Sequence, residues 1–262
     1  MSDYSNQSRN DIYPARTGDA MDEVARRARA TFKYFWRELS WEMRRIIPGL
    51  DLAAVKLAFS DTGDLNGPDV EHMWLTGVGF DGEHVFGQLI NTPQRLRSVK
   101  NGDAIRRPLS ELEDWLYAIG GKVYGGYTID VMRQSMDPGE REAHDRAWGL
   151  DFGEPGVIEV VPSGEGWFGG DPDQEHPMSE NMGPSLRDHL QKDPAMATAA
   201  DERGWTQLHQ MALAGSHSAV AILLELGADP HARNAEGRTA LDLAESLGWS
   251  KVAALLRARA VN

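Results

Sequence analysis

From Ala20 onward, apolar side chains recur at spacings of three and four: Met21, Val24, Ala25, Ala28, Phe32, Phe35 and Leu39. That period predicts an amphipathic helix, with Arg26, Arg27, Arg29 and Lys33 mostly on its polar side and Pro48-Gly49 as its stop. The pattern then changes. Ala53–Ser60 alternates as a half-buried strand does, and Glu71–Phe80 and Glu83–Ile90 flank Asp81-Gly82, a dipeptide suited to a tight hairpin turn. Arg95–Lys100 and Ala104–Arg107 around Asn101-Gly102 predict a second hairpin. Ser110 followed by Glu113 is a capping-box pattern, and Leu112, Trp115, Leu116 and Ile119 make a helical stripe behind it. Val123–Asp130 and Val157–Val161 predict further strands, and Asp137-Pro138 opens a helix to Trp148. Strands with interspersed helices and no βαβ rhythm predict an α+β domain, a mostly antiparallel sheet with flanking helices, over residues 20–162.

The last third of the chain repeats itself. Gly204-Trp205-Thr206-Gln207-Leu208 and Gly237-Arg238-Thr239-Ala240-Leu241 place Gly, Thr and Leu 33 positions apart, as do Gly215 and Gly248. A 33-residue period opening on G-x-T-x-L resembles the ankyrin repeat, and Gly227-Ala228-Asp229-Pro230 is similar to that family's inter-unit turn. Thr206 and Thr239 are placed to cap the first helix of each unit, and the glycines to end it. Pro184–Pro194 reads as an amphipathic helix forming a degenerate half-repeat, so that 184–262 is an all-α domain of a cap and two units. Such an array falls short of the roughly three units a free-standing solenoid needs. It is expected to lean on the preceding domain or on a partner.

A second resemblance lies in the first domain. Ala54-Val55-Lys56-Leu57-Ala58-Phe59, Glu71-His72-Met73-Trp74, Gly87-Gln88-Leu89-Ile90-Asn91, Asp114-Trp115 and above all Tyr124-Gly125-Gly126-Tyr127-Thr128-Ile129 resemble a bacterial YegJ-like domain, the domain-of-unknown-function family numbered 2314. The resemblance implies a fold and a bacterial setting, and brings no catalytic residues with it. Small α+β domains joined to ankyrin repeats among immunity proteins of bacterial toxin systems add an analogy of fold and company.

Charge and composition narrow the function. The net charge is −13, and residues 184–262, with nine acidic and eight basic residues, leave 31 acidic and 19 basic in 1–183. An acidic front half disfavours nucleic acid, whose phosphates need clustered bases, and favours a basic protein partner. The arginines after Ala25 therefore read as a solvated helix face. Cysteine is absent, which removes disulfides and thiolate chemistry and suits a cytoplasmic location. No basic-then-apolar leader and no membrane-length apolar run are present. Residues 1–19 carry no period and are expected to be disordered. Residues 163–183, rich in Gly and acids, read as a linker in which Trp167-Phe168 pin the chain to a groove.

Candidate chemistry is sparse. His72, Glu83 and His84 sit on one predicted hairpin without a third metal ligand, so no metal is assigned. Gly120-Gly121-Lys122-Val123 lacks the Ser or Thr and the following helix of a phosphate loop. No G-x-S-x-G elbow exists, and His144 among Glu140, Glu142 and Asp145 reads as helix ion pairing. No catalytic residue and no cofactor follow. The favoured function is protein interaction, with partner contacts at Trp205, Gln207, Gln210, Met211, Leu213, Ala214, His231, Arg233, Asn234, Arg238 and Trp249. Of these, Trp205 and Trp249 stand out, because large aromatics dominate interfaces. The alternative is a small-molecule or enzymatic groove formed by Trp74, Trp115, Tyr124 and Tyr127.

Overall fold

A computed structural model describes residues 18–65, 67–164 and 171–260. Helix α1 (Gly18–Glu42) is followed by strands β1 (Leu52–Phe59), β2 (Glu71–Phe80), β3 (His84–Leu89), β4 (Ala104–Pro108), β5 (Leu112–Ile119) and β6 (Lys122–Gly125). The six strands pair antiparallel with one another, in the order β4-β3-β2-β1-β5-β6. In β1, Val55 lies opposite Leu75 and Trp115, whereas Lys56 lies opposite Trp74 and Asp114. Alternate side chains therefore serve opposite faces of the sheet. One face receives α1, whose Ala28, Phe32 and Phe35 are fully buried in the same core as Val55, Leu75, Leu112, Trp115 and Tyr117. Burying each such Phe contributes about 1.5–3 kcal/mol. The other face holds a smaller cluster of Ala54, Trp74, Leu116, Ala118, Val123 and Ile129. Helices α2 (Tyr127–Gln134) and α3 (Pro138–Trp148) and the following turn cover it with Met132, Trp148, Leu150 and Phe152.

Several local expectations are corrected. Leu112–Ile119 is a strand, not a helix. It is interior, between β1 and β6, and buried on both faces, so its apolar positions form a near-continuous run that mimics a helical stripe. Arg95–Lys100 forms no strand; β4 pairs with β3 instead. The strand expected over Val123–Asp130 stops at Gly125, because Gly125 and Gly126 both turn to positive φ (79° and 75°) and start α2. A Cβ on Gly125 would collide with the carbonyl and ring of Trp115, so only glycine fits. Val157–Val161 is not a ladder strand, but the Glu159 carbonyl accepts from Gly125 N–H at 2.8 Å and helps close the β6 edge.

Helix α4 (Pro177–Lys192) begins seven residues before the predicted start at Pro184. Pro184 is accommodated inside it. The helices α5 (Gln207–Leu213), α6 (His217–Glu225), α7 (Ala240–Ser246) and α8 (Ser250–Ala260) then form two stacked helix pairs, with α4 packed against α6. The Trp167-Phe168 expectation and residues 1–17 fall outside the described residues.

Candidate functional site

The two helix pairs are built by the same local device. Thr206 and Thr239 each accept a hydrogen bond from the amide three residues on, and the side chains of His209 and Asp242 return to the amide of the capping residue. His209 does more. Its Nδ1 accepts from Thr206 N–H at 3.1 Å, and its Nε2–H faces the Ala232 and Arg238 carbonyls, each at 3.1 Å. The ring thus locks the first unit to the turn that begins the second. Burial keeps its pKa below the ordinary histidine value.

The face formed by α5, α7 and Trp249 is not free. Arg238 donates to the Gly82 carbonyl and to Glu83 Oε2, both at 2.6 Å, in the β2–β3 turn. A Cβ on Gly82 would collide with Leu243 of α7, so the turn fits closely against that helix. Arg44, just past α1, donates to Gln210 Oε1 of α5 at 3.2 Å. The Trp249 ring meets Tyr34 of α1 edge-on with centroids 6.4 Å apart, and Lys33 and Arg37 lie over it at 5.1 and 5.7 Å.

A strap reinforces this contact. Arg37, 1% exposed, donates to the carbonyls of Pro172 and Gln174 at 2.8 Å. Burial lowers its pKa to about 10. Glu175 accepts from Ser218 N–H and Oγ at the start of α6, both at 2.7 Å. His176 caps α4 through Nδ1, meets Glu38 at 3.2 Å through Nε2, and stacks on Trp41 with centroids 5.7 Å apart. These strap residues escaped the sequence reading. Their one visible signal was the position of Glu175-His176 directly before Pro177, a helix-opening proline.

Burial sorts the residues expected to meet a partner. Met211, Leu213, Ala214, Asn234 and Trp249 are buried. Trp249 donates through Nε1 to the Leu213 carbonyl at 3.1 Å, and its ring fills the space that a Cβ on Gly215 would need. These five side chains are spent on packing within the chain, and the place expected for a partner on the inner helix face is taken by the first domain. Trp205, Gln207 and Arg238 are half-buried, and Gln210, His231 and Arg233 are exposed. His231 and Arg233 lie exposed on the turn between units, where the His231 amide donates to Asp229 Oδ1 and the Arg233 guanidinium to the Gly237 carbonyl.

The aromatic groove expected from Trp74, Trp115, Tyr124 and Tyr127 does not form, because the sheet separates its members. Trp115, Tyr124 and Tyr127 lie on the α1 side, with Trp115 donating through Nε1 to the Ala28 carbonyl at 2.8 Å. Trp74 is on the opposite face. There it lines a cavity of about 280 Å³ with Asp51, Leu52, Ala54, Ile90, Leu116, Trp148 and Leu150.

Asp114 is the most buried carboxyl of the first domain. It accepts from the amides of Trp115, Tyr127 and Thr128 and from Thr128 Oγ1, at 2.6–2.9 Å, and so caps α2 from the neighbouring strand. Burial pushes its pKa up to about 6, against the opposing pull of the Thr128 bonds and of Lys56. This arrangement accounts for the Tyr-Gly-Gly-Tyr-Thr-Ile run in structural terms. His72 pairs with Glu113 at 2.8 Å, while His84 sits near Asp81 at 3.7 Å and Arg106 at 3.2 Å, towards the other end of β2. Among the described residues, no cluster of His, Asp and Glu is placed to hold a metal ion, and no helix is long and apolar enough to cross a membrane.

The geometry defines an antiparallel α+β domain joined to ankyrin-type helix pairs. The chain belongs to the family described as an uncharacterized protein conserved in bacteria, DUF2314, whose model matches residues 18–152; the ankyrin repeat model matches residues 203–235. The chain is similar to a putative ankyrin repeat protein of Neisseria meningitidis serogroup B, 42% identical over 94% of this chain and 96% of that one. It also resembles the uncharacterized protein YegJ of Escherichia coli K12, 36% identical over 31% of this chain and 50% of that one. The human DNA-binding protein RFXANK is 41% identical over 24% of each chain.

Proposed function

We propose that the chain is a non-enzymatic protein-interaction protein of the bacterial cytoplasm. In this reading it binds a basic protein, a toxin or effector, and neutralises it by occlusion. The observation that carries the reading is the ankyrin array with its inter-unit turn, His231 and Arg233, exposed beside a first domain that seals the array's inner face. The concentration of net negative charge in residues 1–183 supports a basic partner, since complementary potentials steer association. Small α+β domains joined to ankyrin repeats among immunity proteins of bacterial toxin systems support occlusion as the mode of neutralisation.

Affinity capture with the full chain from its native cell tests this reading, with mass spectrometry as the readout. One basic protein is expected to be retained by the parent chain and lost by a His231→Ala, Arg233→Ala double variant. Retention of no protein, or equal retention by both chains, contradicts the reading.

A further inference from the structure

The Trp74 cavity has a chemistry of its own. It is lined by two indoles, Trp74 and Trp148, and by the aliphatic side chains of Leu52, Ala54, Leu116, Leu150 and Ile90, the last 45% exposed. One charged side chain lines it, Asp51. The Asp51 carboxylate is held by Gly121 N–H, which donates to Oδ2 at 2.7 Å. That bond fixes its orientation and leaves Oδ1 as an acceptor. Aromatic faces beside a carboxylate attract a cation, and an aliphatic floor accepts a hydrocarbon body. Lys56 already shows the preference of Trp74, lying 5.8 Å from its ring centroid. It is bonded to Thr128 and does not line the cavity, and its charge is opposed by the adjacent buried Asp114.

We propose that this cavity binds a primary alkylammonium, its chain between the two indoles and its charge at Asp51. Two sources offer that chemistry: a free aliphatic amine, or a lysine side chain on another protein. The inference is independent of the proposed toxin neutralisation, because a free amine tests it without any protein partner.

The test uses the full chain at neutral pH, with binding read from the indole N–H signals in ¹⁵N–¹H spectra. The probes are n-hexylammonium, n-hexanol, hexanoate and Nα-acetyl-lysine methylamide. Hexylammonium is expected to bind with a Kd of about a millimolar, as befits so few atoms. Hexanol and hexanoate should bind at least about fivefold more weakly, the charge-linked share of a partly exposed site. Asp51→Asn, which retains an acceptor for Gly121, should bring hexylammonium to within about twofold of hexanol. Trp148→Ala, at a half-buried position and checked for an unchanged fold by the remaining spectrum, should abolish binding of all probes. If the lysine derivative binds with the same dependence on Asp51, a protein side chain is a competent source; if only hexylammonium binds, the source is a free amine. Equal binding of hexylammonium and hexanol, an ammonium preference that survives in Asp51→Asn, or no binding up to about 50 mM would each overturn the proposal.

Discussion

Arg238 donates to Glu83 across 155 residues of chain, at 2.6 Å, and places a second bond on the neighbouring Gly82 carbonyl at the same distance. One guanidinium therefore joins the start of α7 to the β2–β3 turn. The ankyrin pair is too short to bury its apolar faces alone. The closure shows where the missing cover comes from: the α+β domain of the same chain.

Replacing Arg238 by Ala should cost about 1.5–3 kcal/mol of stability, the range for one hydrogen bond from a charged group, with the bond to the exposed Glu83 adding little. Urea unfolding monitored by circular dichroism measures it. Glu83→Ala should cost less, because Glu83 is 57% exposed and the bond to the Gly82 carbonyl survives.

Trp249→Ala should cost about 3–5 kcal/mol, the range for truncating a buried aromatic. The residue is 5% exposed and touches both halves, so the loss should appear in thermal unfolding as a lowered Tm for the whole chain. An effect confined to partner binding, with Tm unchanged, would contradict its placement.

Asp114 and His209 predict opposite pH slopes. The folded pKa of Asp114, about 6, lies above its unfolded value of about 3.9. Between those limits the folded state holds more protons, so stability falls as pH rises, by about 3 kcal/mol from this group. Asp114→Asn should remove that slope from a stability profile taken across the window.

His209 behaves the other way. Its folded pKa lies below the unfolded value of about 6.5, so its contribution is complete above that pH and is lost as pH falls below it. In a His209→Gln variant, the decline of stability on acidification below about pH 6.5 should be shallower than in the parent chain.

The ankyrin half was legible because its signals are local. Thr206 and Thr239 cap within three residues, and Gly215 and Gly248 act within one turn of their own helices. Strand β5 was not legible, because α1 on one side of the sheet and α2 with α3 on the other bury both its faces and erase the period-2 alternation. The aromatic groove failed for a related reason. Trp74 and Trp115 go to opposite faces by their register against Lys56 and Val55, which spacing along the chain does not reveal. The inter-domain contact rests on pairs such as Arg37 with Gln174 and Arg44 with Gln210, over 130 residues apart, and no local pattern records them.

The most direct measurement is hydrogen exchange by mass spectrometry on the full chain under native conditions, following peptides from α1, α5 and α7. If the first domain covers the ankyrin face, amides in all three helices open with the same free energy to within about 1 kcal/mol, and Arg238→Ala lowers them together. The contradicting result is that α5 and α7 open while α1 stays protected and Arg238→Ala leaves their opening unchanged, for then the two halves do not stabilise each other.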